Sequence, residues 1–252
     1  MDDVVTIAPV DRDAELDRLA ARYRAAGGIG MRLLNGLGGQ AEGLLDKLPT
    51  GVRDGLNKGT ERALVVALEA AERSRHRVPD QPKWINTALT TAMGAAGGFG
   101  GLPSALVELP ATTTILMRAI QGAAAENGFD PTSESVRFDC LRVFAVAGPL
   151  EEDDGSDIAF ISLRLTLSGG AVHKMITLVA PKLATVLGQK LAAQTLPVLG
   201  AVAGATTNYL YTQYYQEMAH VHFGLRRLAI DADVPADVLV AGLHDRLRQK
   251  LT

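Results

Sequence analysis

The residues best suited to chemistry in this chain lie in YYQEMAHVHF, positions 214–223. Glu217 and His220 are three apart, so on a helix they share a face and could reach one metal ion. Glu-x-x-His is half of the ligand set of a di-iron carboxylate centre, which needs a second copy and two further glutamates. No second copy exists; the other histidines are His76, His173, His222 and His244. His220 and His222 are two apart, about 200° around a helix, and cannot chelate one ion without a break. One of them is expected to face the core with a hydrogen-bond partner and the other to face outward. Glu108, in VELP, is the second group of interest, because a carboxylate among apolar neighbours needs a partner or takes up a proton. Ion pairs across helices, Arg118 with Glu217 or Glu108 with Arg142, are the expected solution and would fix helix register. If the chain is an enzyme, Glu217, His222 and Glu108 are its candidate catalytic groups. If it holds a metal, Glu217 and His220 are the candidate ligands.

Other motifs are excluded by their chemistry. The glycine-rich stretch GGFGGLPSALVELP at 97–110 has no Lys-Ser/Thr after its turn, so no ammonium would meet a phosphate. GLGGQA at 36–41 matches a dinucleotide fingerprint in spelling, but it sits in an amphipathic helix pattern with no strand before it. There is no Gly-x-Ser-x-Gly elbow, His-Glu-x-x-His helix or Cys-x-x-Cys pair. The acidic run EEDDGSD at 151–157 lacks the frame of a calcium loop. No cofactor is expected. The one cysteine, Cys140, has apolar neighbours at helical spacing and reads as a buried small hydrophobe. It allows no internal disulfide, which fits a reducing cytoplasm. The start, MDDVVTIAPVDRD, is acidic and carries no secretory pattern. A net charge of −3 without a basic stripe excludes nucleic acid as the expected partner.

The elements that must hold these residues read as helices throughout. Composition is 47% hydrophobic but only 5% aromatic, so the apolar mass is mostly Ala, Leu and Val. Asp11 caps a helix over 11–26 that Gly27-Gly28 closes. Leu34, Leu37, Ala41, Leu44 and Leu48 form one apolar stripe, weakened by glycines, that needs a surface to lie on. Thr60 caps a helix to about Arg77, and VPDQP at 78–82 connects it to a helix from Lys83 that breaks at the glycine cluster. Pro110 suits a first helical turn, with Gly128 as the stop of the helix that follows. Asp130-Pro131 opens the next helix, through CLRVFAVA to Gly148-Pro149. IAFISLRLTL leans to helix, and 171–196 reads as a helix kinked at Pro181. A long helix runs from Pro197 to about Ile230, and Pro235 opens a last one.

Two runs carry no charge: 24 residues from Trp84 to Val107 and 26 from Leu191 to Gln216. Both are long enough to span a bilayer, but nearly half of the first is Gly, Pro, Thr, Asn and Ser, and strongly aliphatic residues are few. Small residues at spacing four, Gly94 and Gly98, Gly97 and Gly101, Gly200 and Gly204, let backbones approach. The expected architecture is therefore all-α, a single multi-helix bundle with 84–109 and 197–215 as two central Gly/Ala-rich apolar helices in contact. GGFGGLP is the bend at one end.

GGFGGLPSALVELPATTTILMRAIQGAAAENGFDP, then CLRVFAVAG, then VLGAVAGATTNYLYTQYYQEMAHVHFGLRRLA, in this order, resemble the EcsC protein family. The resemblance spans roughly residues 60–230. It divides the chain into an N-terminal amphipathic helical segment, 1–58, packed on the core, and an EcsC-like helical domain, 59–252. The family's namesake is encoded beside the subunits of an ABC-type transporter, so the resemblance implies a bacterial, membrane-related accessory setting. It supplies no agreed catalytic residues, and it draws attention to His222 in HFGLRRL. Two functions are open from the sequence. One is a non-enzymatic protein, cytoplasmic and peripheral at the inner face of the membrane, whose partner is the membrane surface or a membrane protein. The other is an enzyme or metal-binding protein with a polar site around Glu217, His220, His222 and Glu108.

Overall fold

The structure is a computed structural model that describes residues 10–26, 50–75, 77–80, 82–99, 101–145, 172–181, 184 and 197–249. Every regular element among them is an α-helix. In chain order these are α1 (Arg12–Ala26), α2 (Thr50–Arg75), α3 (Lys83–Phe99), α4 (Gly101–Glu126), α5 (Glu134–Ala145), α6 (172–181), α7 (Pro197–Asp231) and α8 (Ala236–Arg248). The stripe at 34–48, the run 151–157 and IAFISLRLTL fall outside the described residues.

The all-α expectation holds, and several ends fall where local chemistry puts them. Asp11 Oδ1 accepts from the backbone N–H groups of Asp13 and Ala14, the N-cap bond that starts α1. Gly128 takes φ +80°, and the N–H of Phe129 returns to the carbonyl of Ala124, closing α4 as a glycine C-cap does. Pro235 precedes α8 as its N-cap residue.

Three ends differ from expectation. Thr60 does not cap α2, which starts ten residues earlier at Thr50 and runs through Gly51, Gly55 and Gly59; helix propensity is a weak constraint, and here it is overridden. Pro110 is not in a first turn but inside α4. It is exposed, so the helical hydrogen bond it forgoes is lost on the outer side of that helix. Asp130 does not cap α5: its carboxylate accepts from the N–H and hydroxyl of Thr132, forming a local turn, and the helix starts at Glu134. Of the helix expected over 171–196, residues 172–181 and 184 are described, and they are helical.

α7 is the hub, in contact with α1, α3, α4, α5 and α8. At 35 residues it is about 52 Å long. From Tyr211 to Leu225 nearly every residue is buried, because other helices surround it there. The hydrophobic core gathers on this half: Tyr215, Met218, Phe223 and Leu225 of α7 meet Leu16, Leu19 and Tyr23 of α1, Met117 and Ile120 of α4, and Leu141 and Phe144 of α5. Phe144 and Tyr215 lie 5.0 Å apart between ring centroids, and Phe129 lies 5.8 Å from Phe223.

α3 packs along the other half of α7, in the most extensive helix–helix contact among the described residues. The two expected partners do meet. α3 is not central, however: Trp84 is 68% exposed and Leu89 49%. The reason is that α3 packs against α4 and α7 with one side only, and no described element covers the other.

Candidate functional site

The contact between α3 and α7 is made by glycines and short polar side chains. A Cβ added at Gly94 would lie 2.2 Å from the carbonyl oxygen of Gly204, so only glycine permits this approach. Lys83 meets Gln216, Thr90 meets Thr212 and Asn208, and Gly94 meets Gly204, so the helices run antiparallel. The Thr90 and Thr212 hydroxyls face each other at 2.7 Å. Asn208 donates both protons of its amide, one to the carbonyl of Thr90 at 2.7 Å and one to Glu108 Oε1 at 2.7 Å. Thr112 also donates to Glu108 Oε1, at 2.8 Å. Asn208 therefore ties α7 to α3 and α4 together. The Glu108 carboxylate lies flat against Gly97, where a Cβ would come within 2.1 Å of Oε2.

Behind this polar seam the pair presents an uncharged face. Among the residues whose burial is described, the exposed ones of α3 are Trp84, Ala88, Leu89, Ala92 and Ala96, and those of the same stretch of α7 are Val202, Thr206 and Tyr209. Gln213 Nε2 donates to Thr87 Oγ1 at 3.3 Å. Tyr209, Thr206 and Val202 continue the Gln213 stripe along α7, and Trp84, Ala88 and Thr91 flank Thr87 on α3. The two stripes thus adjoin across this bond. Val202 is 68% exposed and Tyr209 46%.

The four sequence candidates do not converge. Glu108 belongs to the seam just described, at Asn208. His220 lies twelve residues further along α7, about 18 Å away along the axis. His222 is buried on another side of α7, against α5. Its Nε2 is 3.4 Å from Asp139 Oδ1, and Arg226 donates to Asp139 Oδ2 at 2.6 Å. Burial pushes the Asp139 carboxyl up, but His222, Arg226 and Arg142 outweigh it and hold it below the usual carboxylate range. Both His220 and His222 are therefore buried, where one was expected outside.

The expected cross-helix pairs are replaced by others. Glu217 faces Arg22 at 3.4 Å and Lys83 at 3.7 Å, not Arg118. Arg118 is held by Ser74, the carbonyls of Val78 and Pro79, and Asp80. Glu108 takes neutral donors rather than Arg142, whose guanidinium is 3.5 Å from Asp139. In each case the helix crossings bring other polar groups within reach.

His220 lines a cavity of ≈ 20 Å³ where α3 begins, with Asp80, Lys83, Asn86, Arg118, Gly122, Glu126 and Gln216. That is room for about one water. Burial, then Lys83, Arg22 and Arg18, lower the His220 pKa to about 3, so the ring is neutral at pH 7. Its Nε2 is 3.6 Å from Glu126 Oε2. Among the described residues no three of His, Cys, Asp and Glu gather as a metal ion requires, and Glu217 turns to cations rather than to His220. Burial pushes the Cys140 thiol well up, away from the reactive thiolate.

Sequence reasoning missed Thr90, Asn208, Thr212 and Asp139. Their signal was present: Asn208, Thr212 and Gln216 recur at spacing four inside an apolar run, the mark of a polar line on one helix face. No helix among the described residues is long and apolar enough to cross a membrane.

The profile of the EcsC protein family matches residues 69–228. That span is more than half of the chain and includes the seam, the cavity, His220 and His222. No curated protein and no solved structure matches.

Proposed function

The chain belongs to the EcsC protein family, and from that premise we propose that it is a non-enzymatic accessory protein acting at a membrane surface, with the uncharged face of α3 and α7 against the lipid. The observation that carries this is the face itself: two adjoining helical stripes, from Trp84 to Ala96 and from Val202 to Tyr209, without a charged residue. Burying such a face in the interface strips no ion of water. Trp84 and Tyr209 are the amphipathic aromatics that favour the headgroup level. The protein lies on the bilayer and does not span it. The setting that the family resemblance implies, the inner face of a bacterial cytoplasmic membrane beside an ABC-type transporter, suits such a role.

Flotation with phosphatidylcholine vesicles tests it. The wild type should rise with the vesicles, and a Trp84→Asp, Val202→Asp variant should stay at the bottom. Both side chains are 68% exposed, so the variant keeps its fold. Binding should change little between low and high salt, because the face has no charge to screen. A wild type that stays at the bottom, or a variant that floats equally well, ends the proposal.

A further inference from the structure

The composition and stiffness of the uncharged face decide which bilayer suits it. Among the described residues its large exposed side chains are Trp84, Leu89, Val202 and Tyr209, each between 46% and 68% exposed. Ala88, Ala92 and Thr206 stand beside them, also exposed but short. Weighted by exposure, the four large side chains offer about as much carbon as one myristoyl chain, which alone holds a protein to a bilayer only marginally. Charge adds nothing to this. The face carries none, and at its end Lys83 and Arg22 both turn to Glu217, at 3.7 and 3.4 Å. Behind the face, Asn208 ties α7 to Thr90 and Glu108, and the backbones meet at Gly94 and Gly204. The two helices therefore enter a leaflet together, as one plate. From Trp84 to Ala96 that plate is about 18 Å long, and two helices of about 10 Å each make it about 20 Å wide. It must displace several headgroups at once, and in a tightly packed leaflet that displacement opposes a gain that is already marginal.

We infer that the face reads lipid packing: it binds bilayers whose headgroups are already spread, by strong curvature or by lipids with small headgroups, and binds flat, tightly packed bilayers poorly. This rests on the membrane-surface role above and names the kind of membrane. In a loosely packed leaflet Trp84, Leu89, Val202 and Tyr209 enter gaps that exist before the protein arrives. An uncharged face cannot select a bilayer by its charge, so packing is the property it discriminates.

The test uses three kinds of phosphatidylcholine vesicle, compared at equal outer-leaflet lipid: small sonicated vesicles, large extruded ones, and large ones with a fraction of dioleoylglycerol, whose headgroup is a bare hydroxyl. Wild type should bind the small vesicles about tenfold more tightly than the large, the scale of burying one further aliphatic side chain. Dioleoylglycerol should raise binding to large vesicles toward that level, and high salt should leave the ratio unchanged. The Trp84→Asp, Val202→Asp variant should lose binding to all three. Equal binding of wild type to small and large vesicles overturns the packing preference and leaves the membrane role standing, as does the absence of any effect of dioleoylglycerol. A variant that keeps the size preference assigns it to another surface and overturns it too. Wild type that binds none of the three ends the membrane role itself.

Discussion

The two halves of α7 are packed by opposite means. Toward its N-terminus the helix meets α3 through Gly204, Asn208 and Thr212, with backbones in contact and a line of hydrogen bonds between them. Toward its C-terminus it is surrounded by helices through Tyr215, Met218, Phe223 and Leu225, a conventional apolar core with ion pairs at its margin. The first half buries one face and leaves the other open and uncharged. The second buries nearly all of its surface. Stability therefore concentrates in the C-terminal half, and the N-terminal half is left free to present a surface.

Substitutions can break that contrast or sharpen it. The largest effect is expected at Asp139, where three cationic or potentially cationic groups share one buried carboxylate. Asp139→Ala strands them and should cost about 4 kcal/mol in urea unfolding. A loss below about 1 kcal/mol would mean that this network does not anchor the C-terminal half. Gly94→Ala should cost about 3 kcal/mol, because the new methyl meets the backbone oxygen of Gly204, which cannot step aside. The same change at Gly224, in the apolar half, meets the mobile end of Leu19 at 2.6 Å and should cost about 1 kcal/mol. Equal costs at the two glycines would erase the distinction between the packings.

The remaining effect, spread over the pH scale rather than seen at one pH, is at the junction of the halves. Folding lowers the His220 pKa from 6.5 to about 3, so between these values the unfolded chain binds more protons and stability rises with pH. Lys83, Arg22 and Arg18 disfavour the imidazolium, and Glu126 faces it. The stabilisation is complete above the ordinary histidine range and falls as the pH drops through it, by up to about 1.4 kcal/mol per unit. His220→Gln should flatten the stability profile between pH 6.5 and pH 4.5, above the range where Asp139 also begins to matter. An identical profile for the variant would show that His220 is not the group responsible.

Much of this architecture was legible. The uncharged runs and the glycines at spacing four predicted that the segments beginning at Trp84 and Pro197 would lie together, because close backbone approach leaves few other uses for such residues. Asp11, Gly128 and Pro235 marked helix ends by local chemistry, which acts within a few residues and so can be read from sequence. Pro110, Thr60 and Asp130 misled because each has more than one acceptable local role, and tertiary packing chose between them. The partners of Glu108, Arg118 and Glu217 were not legible for a related reason. Charge says that a partner is needed, but which helix supplies it depends on crossing geometry. Asn208 was visible only as a polar residue in an apolar run, although it proved to join three helices.

Trp84 gives the most direct measurement of the central claim. It is the chain's one tryptophan, and it stands on the uncharged face. On addition of phosphatidylcholine vesicles its emission should shift to the blue, acrylamide should quench it less, and lipids brominated on their acyl chains should quench it more. Emission and quenching that are the same with and without vesicles would contradict the account, because the face would then still be in water.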